Sequence, residues 1–503
     1  MSVINPVETP IWKRYFWRNT ASNYIRTITR LLLGVILFRV LFSGLSEAEF
    51  GFWSLLWSLF GYGILLDFGF GYTAQKAVAE KSATGEWEEL SRLLSTMLWT
   101  FVGLATLLGL FFWAIRGLFL GAVEVPDAEY SMYSLSYFIF FAGLALTFPF
   151  GLFPEILRGL QRIDIANWLN TGSVVLNFIG ISLALYFEAS FPVIVFVSVV
   201  TTLLPNVGAL FVAMRRLPEV SLSPRLFEWR VVKSQLGFSI AAYLITFSNL
   251  LMAKSDQAVL GFTMGVGVIA AYQAGYKVAE MLNLFTRQLQ DALSPAAAQM
   301  NASGDNAGLR ELLLKTSKLT FLITTPLYVL CAVYLEPLIQ LLTGLEQIER
   351  DTFLVGQILL FAVFSSQLTN SCAKRILMMC GYEKKLLGLS LLDGLSNLCI
   401  SIVLALSFGI VGVAIGTLIP TLLVGWLLVL PMALRYLDLG VLKYTKFILS
   451  GATPLLLFVP CLCATIYFIP MPAEGGFVAL ALRGGLSSIP AFAWIALKVR
   501  KLM

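Results

Sequence analysis

The chain has 503 residues, of which 58% are hydrophobic and 13% charged, with a mean hydropathy of +0.83 and a formal net charge of +6. Apolar runs of about 20 residues recur from residue 22 to residue 498, each long enough to cross roughly 30 Å of hydrocarbon, which excludes a soluble multidomain chain. The runs are continuous rather than alternating, which excludes a β-barrel, and the complete lack of His removes the commonest metal ligand and the usual triad base.

The first twenty residues are polar and aromatic, with no apolar signal core or small-residue cleavage site, so no cleaved signal peptide is expected. Trp12, Tyr15, Phe16 and Trp17 beside Lys13, Arg14 and Arg18 read as an interfacial anchor on the cytoplasmic side. Fourteen spans follow, at 20–42, 51–78, 93–118, 131–153, 167–187, 191–214, 235–260, 265–291, 313–335, 352–373, 386–407, 410–434, 447–469 and 476–497. With a cytoplasmic N-terminus, most Lys and Arg fall in inside segments, including Arg158 and Arg162, the run 215–233, Lys374 and Arg375, and Lys498, Arg500 and Lys501. Outside loops carry acid instead, as at Glu47, Glu49, Glu336, Glu346 and Glu349. The positive-inside rule therefore predicts a multi-pass protein of the cytoplasmic (inner) membrane with both termini in the cytoplasm. The basic residues are dispersed between spans rather than gathered in a patch, so no nucleic-acid partner is expected. The six cysteines include no CxxC pair, and neither a metal site nor a cofactor is predicted.

The chain also repeats. Residues 154–185 match 374–406, 85–98 match 306–319, and 191–217 match 408–437, all at an offset near 220. The predicted architecture is all-α and polytopic, with two six-helix lobes related by an internal repeat and two additional helices. The corresponding boundaries are 1–217 for helices 1–6, 218–440 for helices 7–12, and 441–503 for helices 13–14. Parallel repeats of this kind suit a transporter in which two lobes work about a shared central cavity.

Ionisable residues sit inside these spans. Lys277, Glu280, Arg287 and Asp291 fall within about 80° of arc on span 8, joined by Gln273. Asn19, Asn23, Arg26 and Arg30 share one face of span 1, whereas Arg39 points elsewhere near the outer end. Span 7 adds Lys254 and Asp256, span 2 Asp67, and span 11 Asp393. One charge at the bilayer centre costs at least about 2.5–3.5 kcal/mol, so these faces must look onto protein or a hydrated cavity. Two readings stand for span 8: charges that serve transport, or ion pairs that merely glue helices. Arg26 and Arg30 have no acid on their own helix face, and such a pair suits a phosphate or diphosphate.

The stretch 37–80, with Arg39, Glu49-Phe50-Gly51 and Asp67-Phe68-Gly69, resembles the opening of the polysaccharide transporter family. These are the oligosaccharide-lipid flippases of the multidrug/oligosaccharidyl-lipid/polysaccharide exporter superfamily. Residues 253–280 resemble the start of that family's second lobe, with Asp256 and Tyr272 at recurring positions, and "LRGLQR" (157–162) its short loop after helix four. The resemblance implies a flippase, not an enzyme, that moves a polyprenyl-diphosphate-linked oligosaccharide between leaflets by alternating access for surface or exopolysaccharide biosynthesis. It implies that Asn23, Arg26, Arg30, Lys254, Gln273, Lys277 and Arg287 meet the diphosphate and sugars. Asp67, Asp256, Glu280, Asp291 and Asp393 would then order those cations or carry a coupling H+ or Na+. Membrane lipid, glycosyltransferases and a polysaccharide polymerase are the further partners it implies. The alternatives are a lipid II flippase, a multidrug exporter, a passive scramblase and, from a different class, a membrane polysaccharide polymerase or ligase.

Overall fold

The computed structural model describes residues 11–63, 70–123, 127–233, 254–290 and 303–450, with isolated positions at 125, 297, 300, 301, 458, 460 and 462–464. Every regular element among the described residues is helical. The chain divides into two compact units, Met1–Phe247 and Ser248–Met503.

The first unit contains α1 (Ile11–Gly44), α2 (Glu47–Gly63), α3 (Phe70–Thr84), α4 (Trp87–Ala122), α5 (Tyr130–Gly159), α6 (Ile163–Tyr186) and α7 (Phe191–Arg216). The aromatic-basic segment 11–18 is helical and continuous with the first span, because nothing in it breaks a helix. The α1–α2 corner is a capping box: the Glu49 N–H donates to Ser46 Oγ (3.2 Å) and the Ser46 N–H to Glu49 Oε2 (2.9 Å). Glu88 and Glu89 occupy the first turn of α4, where the helix dipole favours acid.

Helices in lipid associate through close packing rather than through a hydrophobic drive, so small residues mark the crossings. A Cβ on Gly143 of α5 would lie 2.1 Å from Val199 Cγ1 of α7, and one on Gly159 would lie 2.6 Å from the Gln75 carbonyl of α3. Rings fill the remaining space: Phe52 meets Tyr133 edge-on at 5.0 Å and Phe191 at 6.2 Å, while Phe112 stacks on Phe141 at 3.9 Å.

The connector after α7 is strapped onto α4. Ser91 Oγ accepts from the Ser221 N–H (3.0 Å), and Ser95 Oγ donates to the Ser221 carbonyl (3.0 Å) while accepting from the Ser223 N–H (3.1 Å). Thr96 Oγ1 accepts from the Glu228 N–H (3.1 Å), and Arg92 pairs with Glu228 at 3.2 Å. Three hydroxyls on one helix face thus satisfy an extended backbone, which gives the connector a fixed seat within the first unit.

The second unit contains α8 (254–264), α9 (Gly267–Gln290), α10 (Asn306–Val333), α11 (Leu335–Thr343), α12 (Arg350–Ser366), α13 (Cys372–Met379), α14 (Glu383–Leu422), α15 (Leu430–Tyr436) and α16 (Val441–Leu449). The short amphipathic α11 lies where sequence patterning predicts only a loop. Gln367–Ser371, between α12 and α13, and Leu423–Val429, between α14 and α15, are π-helical. Within α14 the chain reverses at Gly409 (φ 59°, ψ −140°), a conformation that is essentially glycine's alone. The two arms then pack so tightly that a Cβ on Gly412 would lie 2.1 Å from the Leu404 carbonyl, and one on Gly416 2.3 Å from Ser401 Oγ.

The repeat recurs in backbone detail. Left-handed turns fall at Gly85 and Gly304, at Gln161 and Gly381, and at Glu188 and Gly409. Each pair keeps the offset near 220 that the sequence matches show. A polar contact repeats with them: Asn177 Nδ2 donates to Thr201 Oγ1 (2.6 Å) in the first unit, and Asn397 Nδ2 to Thr417 Oγ1 (2.9 Å) in the second. Prolines Pro205 and Pro420 sit inside the corresponding helices.

Seven helical stretches among the described residues are long and apolar enough to cross a membrane. The last, Lys384–Tyr436, contains the Gly409 reversal, and each of its arms exceeds the roughly 20 residues a span requires. Spans 13 and 14 of the sequence reading fall largely outside the described residues.

Candidate functional site: a polar cluster in each unit

In the first unit α1 packs along α6, and two contacts fix its rotation. Asn167 Nδ2 of α6 donates to Ser22 Oγ (3.0 Å), both groups being buried. At the foot of the helix Asp164, 1% exposed, meets Arg18 at 3.1 Å and takes a fork from Arg162 at 3.0 and 3.1 Å. Ser22 and Arg26 are four residues apart and share a helix face, so this anchoring also sets the direction of Arg26.

Arg26 is half-buried and donates from Nη2 to Asn23 Oδ1 (3.0 Å), while its buried Nε has no hydrogen-bond partner. Its charged neighbours are Arg158 and Arg30. Arg158 has its own carboxylate, Glu155, one turn earlier on α5, whereas Arg30 and Asn23 are exposed. Among the described residues no carboxylate pairs with Arg26 or Arg30. Three guanidiniums with one local carboxylate form an anion-attracting cluster, and guanidinium presents the fork that phosphate oxygens accept. Arg158 was legible in the sequence only as an inside-loop cation; its place beside Arg26 comes from the packing of α5.

In the second unit Lys277 Nζ donates to Glu280 Oε2 (2.8 Å) along α9, so the pairing that the spacing allowed is present. Lys254 of α8 lies in the field of both Glu280 and Lys277, which joins α8 and α9 into one group of two cations and one carboxylate. Gln273, two turns before Glu280 on the same helix, is buried. Asn283 extends the polar face by accepting from Gln367 Nε2 (2.9 Å), and Ser371 Oγ donates to Gln367 Oε1 (2.9 Å). The Arg287 side chain, Asp67 and Asp291 lie outside the described residues.

Asp256 is separate from these cations. It is 8% exposed, accepts from Tyr272 OH (2.5 Å), and has Thr417 Oγ1 at 3.2 Å from both carboxylate oxygens. Thr417 Oγ1 in turn accepts from Asn397 Nδ2, and Asn397 Oδ1 accepts from Ser255 Oγ (3.0 Å). Each hydroxyl proton therefore has one acceptor, and the chain Ser255–Asn397–Thr417–Asp256–Tyr272 links α8, α9 and both arms of α14. Composition and spacing point to neither Tyr272 nor Thr417 as a site residue; the resemblance of residues 253–280 to the family's second lobe points to the first. Asp393, 3% exposed, lies apart from this network, with Lys374 as its charged neighbour.

A family model described as "Polysaccharide biosynthesis protein" matches residues 40–348. No curated protein matches the chain significantly. Among solved structures, the lipid II flippase MurJ in an inward closed conformation is similar with a TM-score of 0.72 at 16% identity, covering 96% of this chain and 99% of that one. An inward-facing multidrug resistance MATE family transporter of the MOP superfamily gives 0.66 at 15% identity, covering 85% and 98%. A MOP superfamily transporter from Pyrococcus furiosus, whose binding pocket is described as having reverse polarity, gives 0.58 at 15% identity over 86% and 96%. At these identities the likeness is one of fold.

Proposed function

Starting from a chain that belongs to the polysaccharide biosynthesis protein family and has the helical fold of the MOP superfamily transporters, we propose that it is a flippase for a polyprenyl-diphosphate-linked oligosaccharide. It would move this lipid across the cytoplasmic membrane by alternating access and so supply surface or exopolysaccharide assembly. Both termini then lie in the cytoplasm, glycosyltransferases build the substrate on that side, and a polysaccharide polymerase receives the product outside.

The observation that carries this reading is the arginine cluster of the first unit. Arg26 lies on a helix that α6 anchors through Ser22 and Arg18, keeps an unpartnered Nε, and stands beside Arg30 and Arg158 with too little local acid to neutralise it. Holding three guanidiniums close together with one local carboxylate is costly, and an anionic ligand relieves that cost. In this account Arg26 and Arg30 grip the diphosphate, with Asn23 orienting Arg26. Lys254, Gln273, Lys277 and Arg287 contact phosphate oxygens or sugar hydroxyls. Asp67, Asp256, Glu280, Asp291 and Asp393 order the cations or carry a coupling H+ or Na+. Asp256 meets hydroxyls of Tyr272 and Thr417 rather than the cations, which supports a role in tying α8 and α9 to α14.

The test is binding of a short-chain polyprenyl diphosphate by the purified chain in detergent. Arg26→Ala/Arg30→Ala should weaken binding of the diphosphate at least tenfold and that of the uncharged polyprenol hardly at all. Equal affinity of wild type and double variant for the diphosphate would remove the site assignment.

A further inference from the structure

Where the π-helical segment Gln367–Ser371, α13 and α14 meet the second π-helical segment, the second unit forms a small polar cavity. Asn370, Lys374, Ser390 and Asp393 line it together with apolar side chains, and the space admits roughly one water. Asp393 Oδ1 and Asn370 Oδ1 are both buried without a hydrogen-bond partner. Lys374 donates one N–H to Ser390 Oγ at 2.6 Å, which leaves two. Lys374 and Asp393 act on one another electrostatically yet form no direct ion pair among the described contacts.

That inventory closes around a single water. Its two hydrogens suit the two orphaned acceptors, and its oxygen suits a spare Lys374 N–H. Buried acceptors are almost always satisfied, so two in one cavity call for such a bridge. On α10, which packs against α13, Glu311 pairs with Lys315 at 2.8 Å and Arg310 with Asp438 at 3.3 Å. The field at Asp393 comes from Lys374, and the opposing field at Lys374 from Asp393. Both π-helical segments border the cavity, through Asn370 and through Val424 and Val429. They press together where a Cβ on Gly425 would lie 2.5 Å from Thr369 Oγ1. Such π-segments depart from the preferred helix and gather at functional positions.

We propose that Lys374, Asp393 and Asn370 hold a water through which the lysine and the aspartate exchange a proton, making this cavity a protonation site of the second unit. The lysine ammonium gives a proton to the water as the water gives one of its own to the carboxylate. An N–H bond breaks, a carboxyl O–H bond forms, and the ion pair becomes an amine and a carboxylic acid with no change in total charge. A solvent proton taken up by the amine then leaves the site at one positive charge. The ammonium already occupying the cavity disfavours an alkali cation there. Only the use made of the proton rests on the flippase reading; the site itself does not.

The experiment is pH-difference infrared spectroscopy of the full chain in nanodiscs, which needs no substrate. A carboxylic C=O band that rises and falls with pH in the wild type and disappears in Asp393→Asn is expected. Lys374→Met should move the pH midpoint of the band by at least a tenfold change in proton concentration. Asn370→Leu, a neutral change at the water's second acceptor, should shift the frequency of the band while the protein keeps its unfolding temperature. A wild type without such a band overturns the proposal, as does a band that persists in Asp393→Asn. A band indifferent to both Lys374→Met and Asn370→Leu would leave the carboxyl titrating alone and would equally overturn the exchange. If the site titrates as described and the diphosphate-binding test fails, the flippase reading falls without it.

Discussion

Asn177 and Asn397 occupy equivalent places in the two repeats but carry different loads, and the difference is measurable. Asn177 is half-buried and donates one side-chain bond, to Thr201 at 2.6 Å. Asn397 is 1% exposed, donates to Thr417 at 2.9 Å and accepts from Ser255 at 3.0 Å. Side-chain hydrogen bonds between membrane helices average about 0.6 kcal/mol and reach about 1.7. Asn177→Ala should therefore cost about 0.6 kcal/mol. Asn397→Ala should cost about 1.2 kcal/mol for its two bonds, and roughly 1 more because the buried Ser255 hydroxyl is left unsatisfied. Thr417 also loses the donor that orients it toward Asp256, so the Asn397 value is a lower bound. Equilibrium unfolding of each variant in mixed micelles with a denaturing detergent gives both numbers. Equal costs for the two substitutions would refute the claim that Asn397 is the node that ties α8 to both arms of α14.

Gly416→Val should destabilise by about 1–3 kcal/mol or more, since its Cβ would meet both Ser401 Oγ and the Ser401 Cα at 2.6 Å. Gly34→Ala, with open space around its Cβ, should be neutral in the same unfolding assay. Ser95→Ala removes two bonds to the connector. At about 1 kcal/mol it should speed hydrogen exchange of the Ser223 amide roughly fivefold, and an unchanged rate would mean the strap is not held there. Glu280→Gln strands Lys277 beside Lys254. It should be less stable than Lys277→Met/Glu280→Gln, because removing one partner of a partly buried pair costs more than removing both. A double variant less stable than the single one would show that the pair contributes more than it costs.

The helical class, the length of the spans and the internal repeat were legible because each is written in hydropathy over many residues. The polar face of α9 was legible for the same reason, since Gln273, Lys277 and Glu280 keep the helical period. What escaped the sequence depends on a single residue or on contacts between distant ones. The π-helical segment at Gln367–Ser371 adds a residue to a turn without altering hydropathy. The apolar pattern predicts a reversal between spans 11 and 12, but that Gly409 alone makes it, with the arms touching through Gly412 and Gly416, shows only in three dimensions. Lys374 and Arg158 both entered the sequence reading as inside-loop cations because the positive-inside rule counts sign and not surroundings. Packing of α14 sets Lys374 near Asp393, and packing of α5 sets Arg158 near Arg26. Asp256 was expected among ionic partners, yet Tyr272 and Thr417 come to it from positions 16 and 161 residues away.

The central claim is tested most directly by translocation of a fluorescent short-chain polyprenyl-diphosphate oligosaccharide in proteoliposomes, read as protection from an external quencher, with and without an imposed H+ or Na+ gradient. The account predicts wild-type transport of this lipid, its loss in correctly folded Arg26→Ala/Arg30→Ala protein, and no transport of cationic dyes. Undiminished movement of the lipid by the double variant, or transport of cationic dyes in place of the lipid, would contradict it.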